Sequence, residues 1–478
     1  MVVNEKITSK LDMSATSDNA QIDEMEITRN NSRLSLVIEG SNNSINRSDS
    51  TATVDYLDDN EADYKNDYSC WKRFFKPVRE GSLRGSIFSL ASITFDTTCL
   101  SFPFAIDNMG LIPGTLLLFL MCGMSCWTLY LLMKAGRNTR IIHYRNLIVH
   151  CLGHPMAYLS DVNNIIFSLG AQVAYIVTIS KFFEEIIKHA FSITEFTKLM
   201  KITQMLVSMI FVQIPLSLIK NISTLQYASL IGTFVLIFLM VVMFIQSFYF
   251  YDKGISENRH IVYFKDISLK YLDSFSIYLF AFSPHNGFFL IIKEMTRPNL
   301  RRTQSVIHRS IFLQLVFFVI IGYSGFFSLL EKVPNIFISR DPLANFDPHD
   351  YLMQIVKILF FISLHCMCAI NFNLLRGTIS SLCFKGKDMT QSQNIYVTSI
   401  MFTLSNFVAF FSKNVVDVIG IVSGISVSFI CYIFPILCFI KTNNNKTWEN
   451  VLLIIFLIII FSIGLLSTGW SMIEYFQQ

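Results

Sequence analysis

The 478-residue chain is 52% hydrophobic and only 15% charged, whereas soluble domains average roughly 25% charged residues. Mean hydropathy of +0.48 and 45 phenylalanines fit a surface that faces lipid, and a net charge of +4 gives no reason to expect a nucleic acid partner. Apolar runs of about 20 residues recur, which excludes a membrane barrel with its alternating segments of about 10, so the expected class is an all-α polytopic membrane protein.

Residues 1–80 differ in composition from the rest. They are rich in Ser, Asn, Asp, Glu and Thr and hold too little apolar surface to fold alone, so the first unit, 1–80, is read as a disordered cytoplasmic tail. No early apolar run marks a cleaved signal peptide. From Lys72 to Arg84 the chain turns basic (Lys72, Arg73, Lys76, Arg79, Arg84), which keeps this flank cytoplasmic by the positive-inside rule. Residues 81–478 form the transmembrane unit.

Eleven spans follow, at about Leu83–Ile106, Leu111–Met133, Met156–Ile187, Ile202–Ile219, Thr224–Tyr249, Asp273–Ile292, Ile311–Leu330, Tyr351–Leu375, Tyr396–Phe411, Val415–Ile440 and Val451–Met472. Loops on the N-terminal side hold more Lys and Arg than those opposite, the most basic running from Lys293 to Arg309. Five Asn-x-Ser/Thr sequons, starting at Asn30, Asn42, Asn46, Asn221 and Asn445, all fall on the predicted cytoplasmic side, where no glycan is added.

The first span is irregular. Asp96 sits near its middle, followed by Thr97, Thr98, Ser101 and Pro103. A carboxylate at that depth costs roughly 2.5–3.5 kcal/mol and marks a functional site by default. Proline removes a backbone donor and crowds the preceding turn. The sixth span is irregular in the same way: Ser283-Pro284-His285-Asn286-Gly287 disfavours continuous helix. The two broken spans lie five apart and run in opposite directions, the sequence pointer to an inverted five-plus-five repeat. In such folds the free N–H groups of half-helices bind a carboxylate, and the free carbonyls bind an ammonium or a cation. A zwitterionic amino acid matches that field.

Here a family resemblance appears. Phe280–Ile311, with His285, Glu294, Pro298 and Arg309, resembles the sixth helix and following loop of the amino acid/auxin permease family. Leu100-Ser101-Phe102-Pro103-Phe104-Ala105 resembles its LSLPYA. Pro215-Leu216-Ser217, Tyr323–Phe327, Arg376 at the end of the eighth span, and Gly420–Pro435 are similar to further family signatures. The resemblance covers about Gly81 to Gln478. It implies the LeuT-type inverted repeat, with amino acids moved by proton- or sodium-coupled transport or by exchange. Two departures matter. The family usually has Gly-x-Gly before LSLP, where this chain has Asp96-Thr97-Thr98, pointing to a small, differently oriented or cationic substrate. Sodium-coupled relatives place Thr or Ser on the eighth span where His365 stands, and a hard cation prefers oxygen ligands.

The expected substrate-binding residues are therefore Asp96, Thr97, Thr98, Ser101, Tyr175, Ser283, His285 and Asn286, with Asp96 and His365 as candidates for coupling to protons. Tyr175 is included because the family often has a tyrosine facing the site there, and a lipid-facing tyrosine at mid-depth is unusual. His365 has a second reading, as a core histidine bonded to a backbone acceptor. Lys357 is expected to snorkel, and Lys181, Glu184, Glu185 and Lys188 to form a solvated helix tip. The ten cysteines include no CxxC pair and read as small buried residues, so no metal or cofactor is expected. Nothing matches an intramembrane hydrolase, so the protein is not read as an enzyme. The leading function is a secondary amino acid transporter in the plasma membrane or an internal, vacuole- or lysosome-like membrane. The alternative is a transporter-like sensor that binds the amino acid and signals through its tail.

Overall fold

The computed structural model describes residues 81–94, 97–191, 195–218, 222–256, 260–295, 298–330, 333–336, 351–384, 389–443 and 447–477. Asp96 and the tail lie outside them. We call the membrane face where the first span starts the N-face, and the opposite one the C-face.

The first span is broken as its proline and polar run predict. It consists of α1 (Leu83–Ser92), a 3-10 turn at Thr97–Ser101, and α2 (Phe102–Met109), bent by 55° in all. Pro103 sits in the first turn of α2, where its missing N–H would have had no helical partner. Gly110 then reverses the chain at φ +91°, and a Cβ there would meet the Tyr263 carbonyl oxygen at 2.8 Å. Glycine alone fits both demands. After it come α3 (Leu111–Thr139), the short α4 (Tyr144–Leu152) on the N-face, and α5 (His154–Phe191).

The fourth span, α6 (Lys198–Leu218), contains a π-helical turn at Met209–Gln213. After α7 (Ile222–Ser256) the sixth span begins with α8 (Lys270–Ala281), breaks at Phe282–Pro284, and resumes as α9 (His285–Glu294). The remaining spans are α10 (Leu300–Leu329), α11 (Tyr351–Cys383), α12 (Gln391–Phe411), α13 (Val415–Thr442) and α14 (Thr447–Gln477). Residues Ser423–Ile433 of α13 are π-helical. Among the described residues ten helices are long and apolar enough to span, and counting the bent first pair as one span makes eleven.

The two broken spans lie against each other half to half. On the C-face side α2 packs on α8; on the N-face side α1 packs on α9, where a Cβ at Gly287 would overlap Ile93. This is the LeuT-type five-plus-five arrangement, each half opening with a broken helix of opposite direction. The long α5 and α11 form the most extensive helix pair and flank the breaks.

The charged residues at the C-face end of α5 differ from the expected solvated tip. Lys188 does pair with Glu184 one turn back, at 2.7 Å. Glu185 instead reaches across to Lys357 of α11, also at 2.7 Å. The Lys357 side chain is only 1% exposed, so it does not snorkel: α5 covers it, and the pair joins two helices.

Candidate functional site

A cavity of about 80 Å³ lies where the two breaks meet α5 and α11. A single water needs about 10–15 Å³ on this kind of measure, so the cavity has room for more than one. Ser92, Ile93 and Thr94 line it from the end of α1, and Phe280, Ser283 and Asn286 from the break of the sixth span. The α5 wall is Phe167, Ser168, Ala171 and Tyr175; the α11 wall is Met367, Ile370, Asn371 and Leu374. From Tyr175, Phe280 and Met367 at mid-membrane the lining extends toward the N-face.

On the C-face side of the breaks an aromatic cluster joins α2, the sixth span and α10. Phe102 stacks on Phe318 with ring centroids 4.4 Å apart, Phe282 meets Phe318 edge-on at 5.2 Å, and Tyr278 leans on Phe102 at 5.1 Å. All four are fully buried. Rings packed this closely hold α2, the sixth span and α10 together on this side of the breaks.

The breaks leave backbone groups that neighbouring side chains satisfy. Ser125 of α3 donates to the Phe282 carbonyl at 2.8 Å, and Ser283 Oγ donates to the Phe280 carbonyl at 2.6 Å. Ser274 donates to Ala105 O at 2.8 Å, which ties the two C-face half-helices together. On α1, Ser310 donates to Ile87 O at 3.0 Å, and Thr94 Oγ1 to Ala91 O at 2.8 Å. Carbonyls held this way keep the broken backbone stable inside the membrane, where an unsatisfied group costs several kcal/mol.

Of the residues expected from sequence, Tyr175, Ser283 and Asn286 line the cavity. Thr97 and Thr98 are buried in the 3-10 turn and do not line it; the Thr97 hydroxyl makes no hydrogen bond among the described residues. Ser101 points to the C-face and donates to Asn335 O at 2.8 Å.

The two histidines point elsewhere. His285 is fully buried against α3 and α13: its Nε2 lies 2.9 Å from Thr128 Oγ1, and its ring leans on Tyr432. The first turn of α9 carries Asn286 into the cavity and so turns His285, one residue back, the other way. His365 faces α6. Its Nδ1–H donates to Phe361 O at 2.8 Å, and its Nε2 accepts from Ser208 at 2.9 Å. The chain of bonds continues through Gln213 to Asn406 of α12 at 3.3 Å per step. Both ring nitrogens are engaged, as a core histidine requires.

Sequence reasoning missed the amide-rich wall. Asn371 donates to Ser168 O at 2.7 Å. Asn286 donates to Asn164, which donates to Thr378 Oγ1 at 3.0 Å, so a ladder of short polar side chains joins α9, α5 and α11. The signal was present: Asn164, Ser168, Ala171 and Tyr175 fall at i, i+4, i+7 and i+11, one stripe of small and polar residues on a helix.

On the N-face, α4 is anchored to its surroundings. Arg145 pairs with Asp161 of α5 at 2.6 Å. Tyr144 donates to Ile430 O at 2.6 Å and Asn163 to Ser426 O at 2.9 Å, both carbonyls in the π-helical part of α13. His143, between α3 and α4, is held below the usual histidine range, first by burial and then by the Lys293 and Arg145 charges.

Similarity to known proteins points to one family. Residues 79–477 match the family model described as transmembrane amino acid transporter protein. "Vacuolar amino acid transporter 2" of Saccharomyces cerevisiae is 22% identical over 392 residues, covering 78% of this chain and 79% of that protein. "Putative sodium-coupled neutral amino acid transporter 11" of Danio rerio is 20% identical, covering 83% and 87%. Among solved structures, a Na+-coupled sialic acid symporter is similar at 11% identity, over 81% of this chain and 88% of that one, with a TM-score of 0.49. The Eremococcus coleocola manganese transporter is similar at 10% identity, over 87% and 98%, with a TM-score of 0.47. With a family match running from residue 79 to 477, the chain belongs to the transmembrane amino acid transporter proteins.

Proposed function

We propose that the protein is a secondary transporter that moves amino acids by alternating access, and that the cavity between the two breaks is its substrate site. One observation carries the reading: both broken spans and the α5 and α11 walls converge on one mid-membrane cavity, where Ser, Thr, Asn and Tyr side chains interrupt an otherwise apolar lining. The α-carboxylate is taken by the free N–H groups at the start of α9, and the α-ammonium by carbonyls at the end of α1 and α8. Alternating access requires a second state, in which the C-face side opens and the N-face side closes.

Among the described residues no charged side chain lines this cavity. Asp96 lies two residues past Thr94, which does line it, and is the group left to hold either a proton or a cationic substrate side chain. His365, engaged on both nitrogens outside the cavity, is assigned to helix packing, and coupling is assigned to Asp96 or to none. The basic N-face residues, among them Arg137, Arg140, Lys293, Arg301 and Arg302, support a cytoplasmic N-face. Relatives named as vacuolar in Saccharomyces cerevisiae support an internal membrane.

The test is uptake of the twenty L-amino acids into proteoliposomes at two pH values, with and without sodium. Accumulation of at least one, independent of sodium, is expected. A folded protein that takes up none would overturn the reading, and one that binds but never translocates would be the sensor. Asp96→Asn isolates the charge. It is expected to abolish pH dependence, or to weaken cationic substrates far more than neutral ones; unchanged affinity, rate and pH profile would remove Asp96 from the site.

A further inference from the structure

A second cavity, of about 590 Å³, lies on the C-face at the end of α2. Phe104, Asp107 and Asn108 of α2 form one wall. The segment leading into α8 forms the other, with Lys265, Asp266, Ser268 and Lys270. Two carboxylates and two ammonium groups thus surround a space large enough for a small solute.

These charges are not equally engaged. Asp107 and Lys265 pair at 2.8 Å, with side chains 9% and 33% exposed. Asp266, Ser268 and Lys270 are exposed at the rim. Asn108 is only 7% exposed, and its amide nitrogen makes no hydrogen bond among the described residues. A buried donor without a partner costs about 1–3 kcal/mol, which an incoming acceptor would recover.

The Asp107–Lys265 pair also has a mechanical position. It fastens the segment before α8 to the end of α2, beside three backbone bonds: Leu111 N to Val262 O, Ile112 N to Tyr263 O, and Lys265 N to Met109 O. Tyr271 adds bonds to the carbonyls of Met109 and Lys265. A partly exposed ion pair contributes only about 0–1 kcal/mol, so it exchanges readily with charges of the same kind. An ammonium and a carboxylate on one small molecule are such charges.

We propose that this cavity is a docking site for zwitterionic α-amino acids, separate from the central one, and that its occupant competes with the Asp107–Lys265 pair. The carboxylate is received by Lys270 and the Asn108 amide, and the ammonium by Asp266 and, as the pair opens, Asp107. The ligand class rests on the transporter reading; the location rests on the cavity's own charges.

The test labels Ser268→Cys with a membrane-impermeant thiol reagent from the C-face, with the wild-type chain as background. A bound L-amino acid is expected to slow labelling about tenfold at ten times its half-protecting concentration. Acetate alone and ethylamine alone, at the same concentration, are expected to leave the rate unchanged. Adding Asp266→Asn and Lys270→Gln to the labelled variant is expected to remove the protection. No protection by any of the twenty L-amino acids overturns the proposal. So does equal protection by acetate, or protection that survives both neutralisations, which would report the central site. Uptake is measured in parallel on the wild-type chain. Uptake without protection sinks the docking site and leaves transport standing, whereas protection without uptake does the reverse.

Discussion

The buried pair of Glu185 and Lys357 should respond unequally to loss of its two members. The Lys357 ammonium is 1% exposed and sits 2.7 Å from a Glu185 carboxylate that is 21% exposed. Glu185→Gln leaves the ammonium with no water to return to. Breaking a buried pair in this way costs about 3–5 kcal/mol, and the amide oxygen, which still accepts one bond, places the expected loss near the lower end, at about 3 kcal/mol. Lys357→Met keeps the length and bulk of the side chain and leaves the carboxylate. Glu185 keeps part of its hydration and still feels Lys181, one turn back on α5. That loss should therefore stay near the value of an exposed pair, about 1 kcal/mol or less. The double variant should return to the level of Lys357→Met, since it buries no unpaired charge. Thermal unfolding of the purified protein in one detergent, followed by tryptophan fluorescence, ranks the three. Equal losses from the two single variants, or a double variant as unstable as Glu185→Gln, would refute the argument that desolvation of the lysine dominates.

Other expectations follow from the packing. Gly424→Ala drives a Cβ into Thr468 and the Gly464 backbone oxygen of α14, whereas Gly123 has open space around it; melting curves should show a loss of about 1–3 kcal/mol for the first and none for Gly123→Ala. His143 has a folded pKa below its unfolded one, so its neutral form stabilises the protein above the unfolded value and that stability is lost as pH falls through the folded one. Wild-type stability should drop on acidification, and His143→Gln should flatten that part of the profile in unfolding assays run at a series of pH values. Replacing sodium with choline should leave transport intact, and His365→Gln should leave its pH profile unmoved; a saturable sodium requirement would show that the eighth span has been misread. Single cysteines placed before Leu83 and after Tyr475 should react from opposite sides of the membrane, and labelling from the same side would contradict eleven spans.

How far the sequence reaches depends on the range of the force involved. The spans and both breaks were legible because hydropathy over 20 residues and proline chemistry act locally: Pro103 and Pro284 mark breaks whatever packs around them. Ser283 and Asn286 were legible for the same reason, lying at one of those breaks, whereas Tyr175 was legible from the family resemblance and its unusual depth. The histidines were not. His285 and Asn286 are neighbours in sequence, and which of them enters the cavity depends on where the first turn of α9 starts, a matter of about 100° of rotation. His365 and Lys357 look alike as polar residues in an apolar run. Only the partners supplied by α6 and α5, Ser208 and Glu185, determine that one is a packing residue and the other half of an ion pair. Partners more than 150 residues away leave no mark on a local pattern.

The same long-range contacts indicate which parts move. α1 and α9 touch so closely at Ile93 and Gly287 that neither can shift without the other, and Ser274 joins α8 to α2 through Ala105 O. α10 follows α1 through Ser310. On the other side, α5 is tied to α11 through Asn371 and the Glu185–Lys357 pair, and to α13 through Asn163. The boundary between these two groups passes through the central cavity, where the Asn286–Asn164 bond crosses it. An amide pair with further partners at hand is easily exchanged, because a substrate or water can take either half at little net cost in hydrogen bonds. The backbone bonds and the ion pair at the end of α2 lie within the first group, since they join it to the segment leading into α8. Separating the two groups at the cavity thus trades one side-chain amide bond, while the bonds on α2 move with their group. The contact that a substrate entering the cavity has to replace is therefore the Asn286–Asn164 bond.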